Sequence, residues 1–136
     1  MALVATLELE GKSYDVRDLE YSIEKPVGAN LKPNAPAEGG LISFTILSPM
    51  DGNLTFHEWV TSNSHMMSGE FILPLTHGIE HVSKIIIFEK ALCVSLQEYY
   101  SAGYTNASQM YMRIKIAASI IKFSDTVKFT NKNLPE

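Results

Sequence analysis

The sequence predicts a mainly β protein, a small antiparallel β-barrel or sandwich carrying one short α-helix. Three observations point there. Apolar and polar side chains alternate at period two through most of the chain, as pleated strands with one buried face require. The alternating runs are short and bounded by glycine, proline and asparagine. Only one stretch, Asn53 to Ser62, shifts to helical spacing. Regular short strands with a single helix belong to a twisted antiparallel sandwich or a small barrel.

The chain opens on a two-stranded ribbon, Ala2 to Glu10 and Lys12 to Ile23, around the tight turn Glu10-Gly11-Lys12. Thr6, Glu8 and Glu10 alternate with Ala5, Leu7 and Leu9, so the first strand is half buried. Tyr14 and Val16 hold one parity while Leu19, Tyr21 and Ile23 hold the other. An extra residue near Arg17-Asp18, a β-bulge, is needed to keep both groups inside. From Lys25 to Gly40 the chain carries Pro26, Gly28, Pro33, Pro36, Gly39 and Gly40, with Val27 and Leu31 as its sizeable apolar residues. Proline has no N–H for a ladder, so this segment is no central strand. A loop this long in a small domain is usually functional or disordered, and its prolines stiffen it into an arm for reaching another molecule. A tolerated surface loop is the plainer alternative.

Leu41 to Leu47 reads as a strand with Ile42, Phe44 and Ile46 on one face, stopped by Pro49 and Asp51-Gly52. In the helical stretch, Phe56, Trp59 and Val60 fall at i, i+3 and i+4 and share one face. Asn53 is the expected N-cap. A helix this short is unstable alone, so Phe56, Trp59 and Val60 are expected to anchor it over a barrel mouth or sheet face. Ser68 to Leu75, Val82 to Glu89, Ala91 to Tyr99 and Met110 to Phe123 read as further strands, and Asp125 to Thr130 as a short last one. In the long Met110 strand, Met112, Ile114, Ile116, Ala118 and Ile120 share the core parity with Met110, while Tyr111, Arg113, Lys115, Ala117 and Ser119 form a wet face. Ser101 to Gln109 is the connecting loop.

With 136 residues, 46% of them hydrophobic, the chain is sized for one domain, 1–136, that buries about two-thirds of its unfolded surface. A net charge of −4 with scattered Lys and Arg offers no basic stripe, so nucleic acid is not an expected partner. The first residues, Met1-Ala2-Leu3-Val4, lack a basic leader and meet Glu8 before any long apolar run, unlike a secretory signal. No apolar run nears the ~20 residues needed to span a bilayer, so membrane insertion is not expected. A cytoplasmic protein is the expectation, or one exported by a route that reads the folded domain.

Candidate chemistry is sparse. Cys93, the single cysteine, lies in an apolar run and reads as a core side chain. His57, His65, His77 and His81 invite a metal, and His77 and His81 would align on a helix. Pro74 and Gly78 indicate a turn there instead, and neither a cysteine pair nor an acidic partner completes a ligand set. Serines occur without a Gly-x-Ser-x-Gly elbow or a phosphate-cradling glycine loop. Glu8, Glu10, Asp15, Asp18, Glu20 and Glu24 read as a solvated face. No catalytic, cofactor-binding or metal residues are assigned, and no enzyme is expected. Tyr99, Tyr100, Tyr104 and Tyr111 suit hairpin packing and intermolecular contact equally.

The run Ala5-Thr6-Leu7-Glu8-Leu9-Glu10-Gly11-Lys12-Ser13-Tyr14-Asp15-Val16, followed by Tyr21-Ser22, Lys32-Pro33 and Gly39-Gly40, resembles the TssD (Hcp) tube proteins of Bacteroidetes type VI secretion systems. The likeness continues in layout through the helix, the Lys84 to Glu89 strand with its Glu89-Lys90 turn, and the Met110 to Phe123 strand. One departure lies in the loop, which carries Asn34-Ala35-Pro36-Ala37 where Gly-Arg-Pro is frequent. The resemblance implies a small barrel with a lateral helix, hexameric rings stacked into a tube, expulsion from a contractile sheath behind a spike, and in some members effectors held in the lumen. It implies neither catalysis nor a cofactor, and export without a signal peptide fits it. On this reading Pro26, Leu31, Lys32 and Pro33 are the ring-stacking candidates. The alternatives are a monomeric β-barrel binding a small apolar ligand, walled by Trp59, Met66, Met67 and the tyrosines, and a tube or adaptor protein of a phage-like particle.

Overall fold

The alternating runs fold as strands β1 (Ala5–Leu9), β2 (Lys12–Glu24), β3 (Glu38–Leu47), β4 (Met67–His77), β5 (Glu80–Ala102), β6 (Ser108–Lys122) and β7 (Lys128–Thr130), with helix α1 (Thr55–Thr61) between β3 and β4. The computed structural model describes residues 5–25, 28, 38–49, 52–102 and 108–131. All pairings are antiparallel, in the order β3-β2-β1-β4-β5-β6-β7, and a further β3–β6 pairing closes the first six strands into a ring. This is the predicted mainly β architecture, in its barrel form. The interior is filled with side chains: Leu7, Phe44, Phe71, Phe88 and Ile114 have no exposed surface. Phe44 meets Phe71 edge to face at 5.0 Å, and Phe71 lies 5.4 Å from Phe88.

The opening ribbon forms as its parity requires. Leu9 pairs with Lys12 across Glu10 and Gly11, whose φ values of 48° and 80° make the two-residue turn that matches strand twist. Val16 faces Ile46 and Asp18 faces Thr45, which leaves Arg17 as the extra residue of a bulge. Tyr14 and Val16 are buried before it, and Leu19, Tyr21 and Ile23 pack on the core after it. A second shift lies between Tyr21 and Ile23, this time with the extra residue on β3. Gly40 sits there at φ +97°. A Cβ on it would come within 2.7 Å of Asn131 Nδ2 and 3.0 Å of the Ala118 carbonyl. Asn131 follows β7 and donates to the Gly39 carbonyl at 3.3 Å, so it joins β3 and β7 end to end along one edge of β6.

Several predicted boundaries move. Residues before Ala5 and within 103–107 lie outside the described residues. The helix begins at Thr55, not Asn53, because Asn53 forms a turn ahead of it. Its Oδ1 accepts from the Thr55 N–H at 2.9 Å and from the Thr55 hydroxyl, while Leu54 holds the cap position. The two strands predicted on either side of Glu89-Lys90 are one, β5, and the expected turn is a kink at Lys90, φ 51°. That kink resets parity, so Phe88 and Ala91, three apart, are both buried, as are their β6 partners Ile121 and Ala118. The wet face predicted on β6 holds for Arg113 and Lys115 but fails at Ala117 and Ser119, which are buried. There the Ser119 hydroxyl donates to the Lys90 carbonyl at 2.9 Å, and the Asn131 N–H donates to the Ser119 carbonyl at 2.7 Å. The corner of β5 and the end of β7 enclose that stretch.

Candidate functional site

The helix is held by its apolar stripe. Phe56 and Trp59 are fully buried and Val60 packs partly buried on the core. Trp59 lies parallel to Phe88, with centroids 6.5 Å apart, and Phe56 meets Tyr14 edge to face at 5.0 Å. Since Phe88 and Tyr14 both point inward, α1 bridges the interior sides of β5 and β2. The Trp59 indole N–H donates to the Ala91 carbonyl at 2.9 Å, a carbonyl next to the Lys90 kink. At the solvent edge His57 Nε2 lies 2.7 Å from a Glu98 oxygen, and the other Glu98 oxygen accepts from the Ser48 hydroxyl at 3.3 Å. Asn53 donates to the Tyr14 hydroxyl at 2.8 Å, which fastens the segment ahead of the helix to β2.

The residues considered for chemistry do not converge. Among the described residues no three His, Cys, Asp or Glu side chains stand close enough to hold a metal ion. His81 is exposed opposite Thr76 in the β4–β5 hairpin, His65 follows the helix, and His57 faces Glu98. Cys93 is buried, and burial pushes its thiol up to about 11, although a hydrogen bond with the Ser95 backbone works the other way. Of the pocket walls of the small-ligand alternative, Trp59 and Met67 belong to the packed core and Met66 is half-buried. Tyr99 and Tyr100 are exposed, and Tyr111 is half-buried with the Arg17 guanidinium 4.8 Å above its ring. Tyr104 and the ring-stacking candidates Pro26, Leu31, Lys32 and Pro33 lie outside the described residues. Among the described residues no helix is long and apolar enough to cross a membrane.

What the barrel presents is surface, and strand register sets its pattern. On one outer face, Asp15, Thr6, Ile72 and Ile85 form a row across β2, β1, β4 and β5, and Ser13, Glu8, Glu70 and Ile87 form the next. Glu8 and Glu70 stand directly opposite each other. Partial burial first, then a hydrogen bond and the like charge of Glu8, hold the Glu70 carboxyl above the usual 4.5. On another outer face, Leu41, Ala117 and Leu92 form a row across β3, β6 and β5, followed by Ser43, Lys115 and Ser95, then Thr45, Arg113 and Gln97. Arg113 reaches Asp18 at 3.3 Å and Glu20 at 3.4 Å, both exposed contacts. The acidic residues had read as one solvated face. Sequence reasoning missed that Glu8 has Glu70 for a neighbour, because no periodicity within a strand reports what lies across it.

These residues make a closed β-barrel with a filled interior, a clamped lateral helix and contrasting outer faces. The family model for Hemolysin coregulated protein Hcp (TssD) matches residues 1–132. The chain belongs to that family, the tube proteins of the type VI secretion system. No curated protein sequence matches it significantly. Among solved structures, Hcp1 from Flavobacterium johnsoniae is similar at a TM-score of 0.75 and 21% identity, over 95% of this chain and 100% of that one. Hcp1 from E. coli EAEC 042 gives 0.69 and 14%, over 96% and 98%. Hcp3 from Pseudomonas aeruginosa, described as a secreted protein, gives 0.60 and 9%, over 96% and 97%. These likenesses establish a shared fold.

Proposed function

We propose that the chain, as a single Hcp-like domain over 1–136, is the repeating subunit of a type VI inner tube. Copies join side to side into hexameric rings, the rings stack, and the tube is expelled from a sheath behind a spike, with effectors carried in its lumen. The observation that carries this reading is the family match over residues 1–132 on a closed barrel whose interior is filled. Such a domain has its outer surfaces left for work, and unlike flanks joined head to tail close into a ring when the rotation divides a full turn. The proline arm between β2 and β3, with Pro26, Leu31, Lys32 and Pro33, is assigned to the contact between rings, where its limited freedom lowers the ordering penalty of docking. The subunit is made in the cytoplasm, needs no signal peptide and acts without a cofactor.

Light scattering on the purified chain together with negative-stain imaging tests this. Annular particles of six copies are expected, stacking at high concentration. A protein that stays folded and monomeric at every concentration and salt tried would refute the reading. Shortening the arm ahead of β3, which begins at Glu38, should leave rings intact and weaken their stacking. Loss of ring closure in that variant would move the arm to the lateral contact.

A further inference from the structure

We infer that the outer face of β3, β6 and β5 holds a recess that seats a carboxylate, and that its occupant is an acidic side chain of a carried protein. This rests on the ring reading above, and it turns that face toward the lumen, since a seat for cargo must stay open when copies join. The recess lies between two rows of the sheet. Glu20, Ser43, Lys115 and Ser95 form one row across β2, β3, β6 and β5, and Asp18, Thr45, Arg113 and Gln97 form the next. Its volume is about 150 Å³, room for a single side-chain carboxyl, and its walls bring Ser43, Ser95, Gln97, Arg113 and Lys115 together. Each of those side chains can donate a hydrogen bond, and none is acidic.

Two of these side chains lack partners. Ser43 points outward by parity yet is only 9% exposed, and its hydroxyl makes no hydrogen bond among the described residues. A hydroxyl so enclosed is costly to leave unmatched. Lys115 has no ion pair among the described residues, whereas the charge of Arg113 is answered by Asp18 at 3.3 Å and Glu20 at 3.4 Å. The recess therefore sets one uncompensated positive charge beside one unmatched donor. A carboxylate satisfies both at once, because each of its two oxygens accepts and one negative charge is what Lys115 lacks. The row Leu41, Ala117 and Leu92 borders the recess on one side, and the row Leu47, Tyr111 and Tyr99 on the other. Those flanking rows offer apolar contact to a protein surface around its acidic side chain, which a free anion could not use.

Fluorescence anisotropy of a labelled hexaglutamate peptide, titrated with the full chain at low salt, tests this, with light scattering and circular dichroism on the same samples. Wild-type protein should bind the peptide. Lys115→Glu should weaken binding by about tenfold or more, and Ser43→Ala, which leaves every charge in place, by about fivefold. Lys12→Glu makes the same change in net charge at an exposed residue beside the β1–β2 turn and should leave binding as it was. Inorganic phosphate at matched ionic strength should not displace the peptide. A small folded protein with a hexaglutamate tail should fill the ring centre in negative-stain averages, and density on the outside of the ring would overturn the orientation assigned to the face. No binding by wild-type protein, equal weakening by Lys12→Glu and Lys115→Glu, an unchanged Ser43→Ala, or displacement by phosphate would overturn the carboxylate seat while leaving the ring standing. The expected pattern in a protein that light scattering shows never to form rings would leave the recess standing and overturn the ring reading.

Discussion

Replacing Trp59 tests what holds the one helix. At seven residues α1 is too short to persist without tertiary support, so its docking depends on its buried stripe. A buried tryptophan removes roughly 200 Å² from water. At ~25 cal/mol per Å² that is about 5 kcal/mol, an upper value because unfolded chains already shelter part of the surface. Trp59→Ala is therefore expected to cost about 3–5 kcal/mol, the range found for emptied aromatic sites. Trp59→Phe keeps most of the packing on Phe88 but removes the indole N–H from the Ala91 carbonyl, 2.9 Å away. Leaving that buried acceptor unmatched should cost about 1–3 kcal/mol. Urea unfolding followed by far-ultraviolet circular dichroism measures both losses. Hydrogen exchange should show the α1 amides opening in the alanine variant while β-sheet amides stay protected. In the wild type the single tryptophan reports the site directly, with blue-shifted emission. A Trp59→Ala protein within about 1 kcal/mol of wild type, with α1 still protected, would refute the anchoring argument.

Gly40→Ala is expected to destabilise the chain by at least about 1 kcal/mol, since φ +97° strains any L side chain and the new Cβ meets Asn131 at 2.7 Å. Thermal melting of Gly40→Ala beside Gly11→Ala separates the terms, because a Cβ at Gly11 meets nothing within 4 Å and only the backbone strain remains. Cys93, with its thiol raised from 9.0 to about 11, should resist disulfide reagents at neutral pH until the protein unfolds. Its folded pKa exceeds the unfolded one, so its contribution to stability is complete below pH 9 and is lost as pH rises through about 11. Denaturant midpoints measured across that interval should fall less in Cys93→Ala than in wild type. Rapid labelling of native protein at neutral pH would contradict the burial assigned to this thiol.

Much of the barrel was legible because strand parity is a local property. Leu7 and Leu9, then Tyr14 and Val16, then Leu19 and Tyr21 cannot all face inward unless one residue is inserted, and the bulge at Arg17 follows from that alone. The break at Lys90 was legible only as punctuation. A positive φ in mid-strand and a turn between strands leave the same mark in a sequence, and pairing with β6 on both sides of the kink is what keeps β5 continuous. Ser119 was misread for a related reason. Its parity is outward, but its hydroxyl is taken up by the Lys90 carbonyl at the corner of β5, 29 residues away, which alternation within β6 does not report.

The order of residues along the chain was enough to specify a β protein with one helix, the inward side of most strands, a buried thiol and the family to which the chain belongs. Alternation names the side that a residue faces, and nothing more. Which strands become neighbours is set by register between segments far apart in sequence, since Leu41 to Leu47 must find Tyr111 to Ala117 before the ring can close. The same long-range pairing puts Glu8 across from Glu70 and stands Lys115 on the opposite side of the barrel, and those juxtapositions give its outer faces their contrast.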